Sequence, residues 1–230
     1  MSEAEDNMSY RYDRILSLSS FSNKDLKALQ SKKVLIIGTG GVGQHVATYL
    51  VTNGVEHITI VDYDKVEISN LNRQILLTED DVGKYKVNVV KNALSKRNKD
   101  SNIKSINIKL DNSNVNEIIT NAYDIVVDAL DNWEGKFLIS DECHKKNIPF
   151  LHIGVDGMSG QFCVFQNKSL KDLLSSEVKK EVRDGVMGPV VGAVSSLAST
   201  YLMQYLLNKK PTDHLISVDF IGNKITTIKL

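Results

Sequence analysis

Short apolar runs alternate with segments of helical spacing along the first two-thirds of the chain. After the first run, Val42, Val46, Tyr49 and Leu50 recur at the spacing of one helix face. This alternation predicts an α/β, Rossmann-like doubly wound fold, with a mostly parallel sheet covered by helices on both faces. The predicted strands are 34–38, 57–62, 103–110, 124–130 and 149–155, and the predicted helices are 42–53, 82–97, 114–121 and 133–147.

The pattern changes after residue 155. The apolar run 160–166 follows the previous strand too closely for a helical crossover, so it should pair antiparallel. A long apolar helix is predicted over 188–208. Two strands, 215–220 and 224–230, are then separated by a glycine turn, which predicts antiparallel strands at the C-terminal end.

The remaining segments carry little apolar periodicity. Residues 1–9 are acidic and polar, and we expect them to be disordered; a short helix should follow within 10–31. Residues 167–187 are highly charged and are expected to form a mobile surface segment. We therefore expect an N-terminal arm with a short helix over 1–31 and a single α/β domain over 32–230.

Composition limits the function classes. The chain has 230 residues, with 28 Lys+Arg and 28 Asp+Glu, so its charge favours neither nucleic acid nor a membrane surface. Polar residues interrupt the long apolar helix, which indicates a buried helix and not a membrane span. Cys143 and Cys163 form no CxxC pair, so we expect neither a disulfide framework nor zinc. The polar start is not a signal peptide, and a cytoplasmic location is expected.

A glycine-rich turn directly follows the first predicted strand. Gly38, Gly40 and Gly43 match the GxGxxG pattern between a strand and a helix, which allows a tight turn and a close approach to phosphate. The pattern alone suits NAD, FAD, S-adenosylmethionine or ATP. Asp62 ends the next predicted strand, where an acid usually binds ribose hydroxyls, and Asp64 follows two residues later.

The polar segment 69–74 narrows the choice of nucleotide. It reads Ser-Asn-Leu-Asn-Arg-Gln and places one fixed cation, Arg73, after the second strand. Nicotinamide chemistry does not need an arginine there, whereas polyphosphate chemistry does, because a guanidinium holds two phosphate oxygens in a fork.

These motifs together resemble the MoeB/ThiF/HesA family, the bacterial relatives of ubiquitin-activating enzymes. The resemblance rests on the glycine turn, Asp62-Tyr-Asp64, residues 69–74, Val82-Gly-Lys-Tyr-Lys86, Asp128-Ala-Leu-Asp131-Asn132 and the segment 185–192, and it runs from about Arg11 to the C-terminus. It implies attack of a C-terminal carboxylate on the α-phosphate of Mg-ATP, which gives an acyl-adenylate and pyrophosphate.

The resemblance also implies a role for particular residues. Asp62 would bind ribose, Arg73 and Lys86 would stabilise the transferring phosphoryl group, and Asp131 would position Mg²⁺. Arg14 would reach into the partner's site of a homodimer. The implied nucleotide site comprises Gly38, Gly40, Gly41, Gly43, Asp62, Asp64, Ser69, Asn70, Leu71, Asn72, Arg73, Gln74, Lys86, Asp131 and Asn132.

Simpler interpretations of single residues stay open at this point. Lys86 has several lysines near it and could be a surface lysine. Asp131 and Asn132 could merely cap the helix that begins at Trp133. Both His45 and His152 are interpreted as packed or surface histidines and not as ligands.

Two departures from the family pattern limit the predicted reaction. The zinc-binding CxxC pairs of many members are missing, and residues 167–187 contain no cysteine for a thioester relay. We therefore predict ATP-dependent adenylation of a ubiquitin-like sulfur-carrier protein of the ThiS/MoaD type, without a covalent cysteine step. Adenylation of a ribosomal peptide, an NAD-dependent oxidoreductase and a non-catalytic nucleotide sensor are the alternatives.

Overall fold

The computed structural model describes residues 3–173 and 185–230, with side chains from residue 10 onward. Its helices are α1 Glu3–Leu16, α2 Asn23–Gln30, α3 Gly41–Thr52, α4 Lys86–Arg97, α5 Val115–Ile118, α6 Trp133–Lys146 and α7 Gly188–Leu206. Its strands are β1 Lys33–Ile37, β2 His57–Val61, β3 Asn102–Ile106, β4 Ile125–Asp128, β5 Phe150–Asp156, β6 Ser159–Phe165, β7 His214–Asp219 and β8 Lys224–Lys229.

Over these residues the strands form one sheet in the order β3-β2-β1-β4-β5-β6-β7-β8. The first five strands in that order are parallel, and β6, β7 and β8 are antiparallel. The predicted fold class is confirmed, including the change of direction at the C-terminal end. Since β2 lies on one side of β1 and β4 on the other, a crevice opens at the carboxyl ends of β1 and β4, where such sheets bind ligands.

The sheet is buried on both faces, and its central strands β1, β2 and β4 are apolar at most positions. Val34 and Ile36 of β1 pack into one apolar layer together with residues of α3, α4 and α7. Leu35 and Ile37 face the opposite layer, which includes residues of α5 and α6. Continuous apolar runs of this kind are typical of a parallel sheet covered by helices.

The expectation of a disordered start is wrong for residues 3–9, because α1 begins at Glu3. The helix is anchored further along, where Tyr12 is buried and its hydroxyl oxygen accepts a hydrogen bond from Asn98 Nδ2 at 3.2 Å. Arg11 Nη1 donates to the carbonyl of Arg97 at 2.9 Å, at the end of α4.

Two predicted boundaries are also wrong. Helix α4 begins at Lys86 and not at 82, because Gly83 adopts a positive φ of 85° and residues 83–85 pair with the chain after β2. Strand β3 ends at Ile106 and not at 110, because its neighbour β2 ends at Val61 and offers no partner beyond that point.

The charged segment 167–187 lies largely outside the described residues, since 174–184 are not described. Before that gap, Leu170–Asp172 forms a single 3-10 turn, and Leu170 is buried. After the gap, Val186 forms a parallel bridge with Gly157 in the β5–β6 turn. Within the described ranges, none of the helices combines the length and the hydropathy that a membrane crossing needs.

Candidate nucleotide and carboxylate site

The glycine turn joins β1 to α3 at the crevice. Gly38 has a φ of 98°, and a Cβ there would lie 2.7 Å from the Ala129 carbonyl oxygen. A Cβ at Gly43 would lie 2.0 Å from the Gly38 carbonyl oxygen. At Gly40, by contrast, the nearest atom would be Gln74 Nε2 at 3.9 Å. Two glycines are therefore required by packing, whereas Gly40 leaves room beside the backbone.

Asp62 lies directly after β2 and holds the turn in place. Its Oδ2 accepts hydrogen bonds from the Thr39 backbone N–H at 2.6 Å and from Thr39 Oγ1 at 2.8 Å. Its Oδ1 accepts from the backbone N–H of Asp64 at 2.8 Å. The carboxylate is thus at the predicted place, and it organises the protein's own turn.

The polar segment 69–74 folds back onto the glycine turn. The two segments approach each other at Gly41, where an added Cβ would lie 3.3 Å from both Arg73 Cγ and the Arg73 carbonyl oxygen. The link is Gln44 in α3, a residue that the sequence analysis did not select. Its Nε2 donates to the Thr39 carbonyl at 2.8 Å and to Gln74 Oε1 at 3.3 Å, and its Oε1 accepts from Leu76 N–H at 2.9 Å.

Within the segment, buried amides shape the backbone and leave the cation outside. Asn70 and Gln74 are buried, and Asn70 Oδ1 accepts from the Glu67 N–H at 3.0 Å. Arg73 Nη1 donates to the Ser69 carbonyl and to Asn72 Oδ1, both at 2.9 Å. Over residues 3–173 and 185–230, Arg73 makes no salt bridge. Leu71 is partly buried and packs against the core.

Lys86 begins α4 and forms an ion pair with Asp64. Its side chain is 9% exposed, and its Nζ lies 2.9 Å from Asp64 Oδ2, whereas the Asp64 side chain is 46% exposed. A second bond runs from the Lys86 N–H to the Asp64 carbonyl at 2.9 Å. Lys86 is therefore a buried ammonium held at the crevice, and the interpretation as an ordinary surface lysine is wrong.

The loop between β4 and α6 carries Asp131. The Ala129 N–H donates to the Ile37 carbonyl at 2.9 Å, which ties the loop to β1 beside the glycine turn. Asn132 caps α6, because its Oδ1 accepts from the Gly135 N–H at 2.8 Å. Asp131 lies between these two fixed points and is exposed.

Behind this loop lies a buried ionic cluster, hereafter the Asp128 cluster, made of Asp128, Lys136 and His152. Asp128 Oδ2 is 3.0 Å from Lys136 Nζ and 2.9 Å from His152 Nδ1. Lys136 Nζ also donates to the Ile153 carbonyl at 2.8 Å. All three residues are buried, as expected for His152, which also stacks on Trp133.

Electrostatics follow from this burial. Desolvation opposes the charge of Asp128, but Lys136 and His152 outweigh it and hold the pKa of that carboxyl below its ordinary value. Burial, followed by the charge of Lys136, lowers the pKa of His152. The histidine is therefore neutral at pH 7, with Nδ1–H donating to the carboxylate.

Lys136 was not among the predicted site residues, although its position in α6 indicates that it is buried. Lys136, Ile139, Ser140 and Cys143 share one helical stripe of α6, and all four are buried. A lysine on the apolar stripe of a helix needs a buried partner, and Asp128 at the end of β4 is that partner.

Arg14 and the two cysteines are the remaining candidate residues. Arg14 is exposed on α1. Burial raises the pKa of both Cys143 and Cys163, so the two thiols are inert. In the part of the chain that the structure describes, His, Cys, Asp and Glu form no cluster of three that could hold a metal. A cavity of about 660 Å³ lies between residues 75–84 and α4, and neither the glycine turn nor Asp131 lines it.

Known proteins resemble this chain in sequence over most of its length. The profile of the ThiF family matches residues 12–230. The molybdopterin-synthase adenylyltransferase of Haemophilus influenzae is 33% identical over 229 residues, covering 96% of this chain and 94% of that protein. Its namesake from Escherichia coli is 31% identical over 239 residues, with 100% and 96% covered. A relative from Gracilaria tenuistipitata var. liui, named a probable molybdopterin-synthase adenylyltransferase, is 32% identical over 204 residues, but the chain spans 57% of its length.

Solved structures agree on the fold alone. E. coli MccB in complex with MccA-N7isoASN has a TM-score of 0.84 at 23% identity, with 95% of this chain and 71% of that chain covered. PaaA has a TM-score of 0.81 at 18% identity, with 100% and 84% covered. The profile match over nearly the whole chain, together with relatives above 30% identity, shows that this chain belongs to the ThiF family.

Proposed function

We propose that this chain is an ATP-dependent adenylyltransferase that activates the C-terminal carboxylate of a small ubiquitin-like sulfur-carrier protein. A carboxylate oxygen attacks the α-phosphorus of ATP while the bond from that phosphorus to the oxygen bridging to the β-phosphate breaks. The acyl-adenylate stays bound and pyrophosphate leaves. The names of the full-length relatives from H. influenzae and E. coli support this reaction.

One observation carries the proposal: Arg73 lies against the glycine turn with neutral oxygens as its hydrogen-bond partners. A nearby carboxylate would hold a guanidinium more tightly, so the Ser69 carbonyl and Asn72 Oδ1 leave its charge available. The reaction brings a carboxylate against a triphosphate, and preorganised cations offset that repulsion as charge develops in the transition state.

Lys86 would supply the second cation. Its Nζ is shielded from water and pairs with the half-exposed Asp64. The same Nζ can turn toward an arriving phosphate. Asp62 would receive a ribose hydroxyl in addition to its bonds within the turn. Gly40 and Gly41 would face the phosphates, since the space beside Gly40 is open.

Asp131 would help to hold Mg²⁺ in this site. A single exposed carboxylate fits that ion, because Mg²⁺ is commonly bound through one or two carboxylates plus substrate phosphates and waters. When bound, the ion would neutralise phosphate charge during transfer. We place the enzyme in the cytoplasm as a homodimer, in which Arg14 of one subunit reaches the site of the other.

The decisive assay is ATP–pyrophosphate exchange with a carrier protein that ends in Gly-Gly. We expect Arg73→Ala, Lys86→Ala and Asp131→Ala each to lower exchange by about 100-fold or more, because each removes charge stabilisation in the transition state. Lys84→Ala is the matched control. Lys84 is two residues before Lys86 in the chain, is exposed, and pairs with Asp81. Exchange at the wild-type rate in all three site variants would refute the assignment.

Further arms of the assay separate the alternatives. Exchange with a short peptide but not with a carrier would favour peptide adenylation. Binding of NADH without binding of ATP would favour an oxidoreductase. ATP binding with no exchange on any carboxylate would favour a nucleotide sensor. Mixing Arg14→Ala subunits with Asp131→Ala subunits should restore part of the activity if Arg14 acts across the dimer.

A further inference from the structure

The Asp128 cluster is placed to control the geometry of the Asp131 loop. Asp128 is the last residue of β4, and Lys136 lies in the first turn of α6, so the pair spans the loop 129–132 from one end to the other. Lys136 Nζ donates in addition to the carbonyl of Ile153 in β5. One ammonium therefore joins two strands and the helix at the edge of the crevice.

The loop backbone is bonded to the same cluster. Asp128 Oδ1 accepts a hydrogen bond from the Leu130 N–H at 3.1 Å, while Oδ2 accepts from Lys136 and His152. Asn132 is fixed by its own bond to the Gly135 N–H. The residue on each side of Asp131 is thus held in place, Leu130 by its bond to Asp128 and Asn132 by its bond to Gly135.

Burying an ion pair costs free energy, and a role in fixing the position of the groups it joins would explain why the pair is present. Two buried charges lose their hydration, and apolar residues of similar volume often serve stability equally well. An ion pair does differ from an apolar pair in direction, because each bond fixes the atoms it joins. Here the bonds fix the loop that carries the proposed Mg²⁺ carboxylate.

We propose that Lys136 is a positioning residue for adenylation, which acts through Asp128 and the Ile153 carbonyl to set the location of the Asp131 carboxylate relative to the glycine turn. This inference rests on the proposed function. Lys136 is buried, and in this scheme it contacts neither the nucleotide nor the carboxylate of the substrate. Its contribution is the distance between Asp131 and the phosphates, and a displacement of about 1 Å can cost about 100-fold in rate.

The test is Lys136→Met in ATP–pyrophosphate exchange, measured across a Mg²⁺ titration. We expect the maximal rate to fall by about 10- to 100-fold, and the Mg²⁺ concentration for half-maximal exchange to rise at least about threefold. The KM for ATP should change much less, because the glycine turn and Arg73 are untouched. Partial unfolding alone would lower the maximal rate and leave the Mg²⁺ midpoint unchanged.

Two further variants keep the test decisive. The neutral double variant Lys136→Met/Asp128→Asn removes both charges; its amide oxygen can still accept from the Leu130 N–H, and its amide NH2 can donate to Nδ1 of the other neutral tautomer of His152. If Lys136→Met alone does not fold, this variant carries the test and should show the same Mg²⁺ shift. Lys32→Met is the matched control. It breaks a partly exposed lysine–aspartate pair with Asp124, just before β4 at the opposite end of the strand, and should leave both readouts unchanged.

The outcomes separate the inference from the function on which it rests. If Asp131→Ala loses exchange while folded Lys136→Met keeps the wild-type rate and Mg²⁺ midpoint, the positioning role is overturned and the proposed function stands. If Asp131→Ala keeps full exchange, the role assigned to Asp131 fails and the inference fails with it, whereas Arg73→Ala and Lys86→Ala still test the proposed function. A raised Mg²⁺ midpoint in Lys136→Met, absent in Lys32→Met, supports the role.

Discussion

Two lysine–aspartate pairs lie at the same edge of the sheet, and they differ mainly in their access to water. Lys86 meets Asp64 in the crevice, where the carboxylate is 46% exposed. Lys136 meets Asp128 behind the crevice, where both side chains are buried. The N–O distances are nearly equal, at 2.9 and 3.0 Å.

The difference indicates that equal geometry can serve opposite purposes. The Lys86 pair can open at little cost, because water solvates Asp64 when the ammonium turns toward a phosphate. The Lys136 pair cannot open without leaving a charge in the protein interior. The first pair is therefore suited to exchange partners during a reaction, and the second to keep one geometry throughout.

The largest expected effect is on stability. Lys136→Met leaves Asp128 charged and buried, so we expect the free energy of unfolding to fall by about 3–5 kcal/mol. The same change at Lys86 should cost about 1 kcal/mol or less, since Asp64 is half-exposed. Urea denaturation of both variants measures the contrast, and equal losses would contradict it.

The next largest effect is on the exchange rate. Here the change at Lys86 should matter more than the change at Lys136, which is the reverse of their order in stability. Lys86→Met should lower the exchange rate by about 100-fold, which corresponds to about 2.7 kcal/mol of transition-state stabilisation. Asp64→Asn should change the rate much less, because it removes only the resting partner of the lysine. Equal losses in the two variants would mean that the pair acts as a fixed unit.

The smallest effect is the pH dependence of stability. Because the pKa of His152 is lowered in the folded chain, the unfolded state binds a proton below about pH 6.5 that the folded state does not. Stability should therefore fall as the pH drops below 6.5, with a slope from this residue of at most about 1.4 kcal/mol per pH unit. His152→Gln should flatten that slope between pH 5 and 6.5, and an unchanged slope would contradict the assigned protonation state.

Much of the fold could be predicted from the sequence, because β1, β2 and β4 are short apolar runs that end in glycine or acid. The glycine turn and segment 69–74 were likewise visible as motifs. The ion pair between Lys86 and Asp64 was not, since it joins residues on separate elements whose approach depends on the turn at Gly83. The role of Gln44 was hidden for a similar reason: both of its amide ends bond to backbone or side chains brought near by folding.

The position of β1 between β2 and β4 also sets the order in which the chain can fold. Val34 pairs with Ile125, so the centre of the sheet can close only after the intervening strands, helices and polar segment have been synthesised. Closing a loop of that length costs chain entropy before any contact repays it, and parallel pairing of this kind folds slowly. A nascent chain that ends before β4 lacks the strand that pairs with β1 on that side, and it exposes the apolar edge of β1 to chaperones and to other chains.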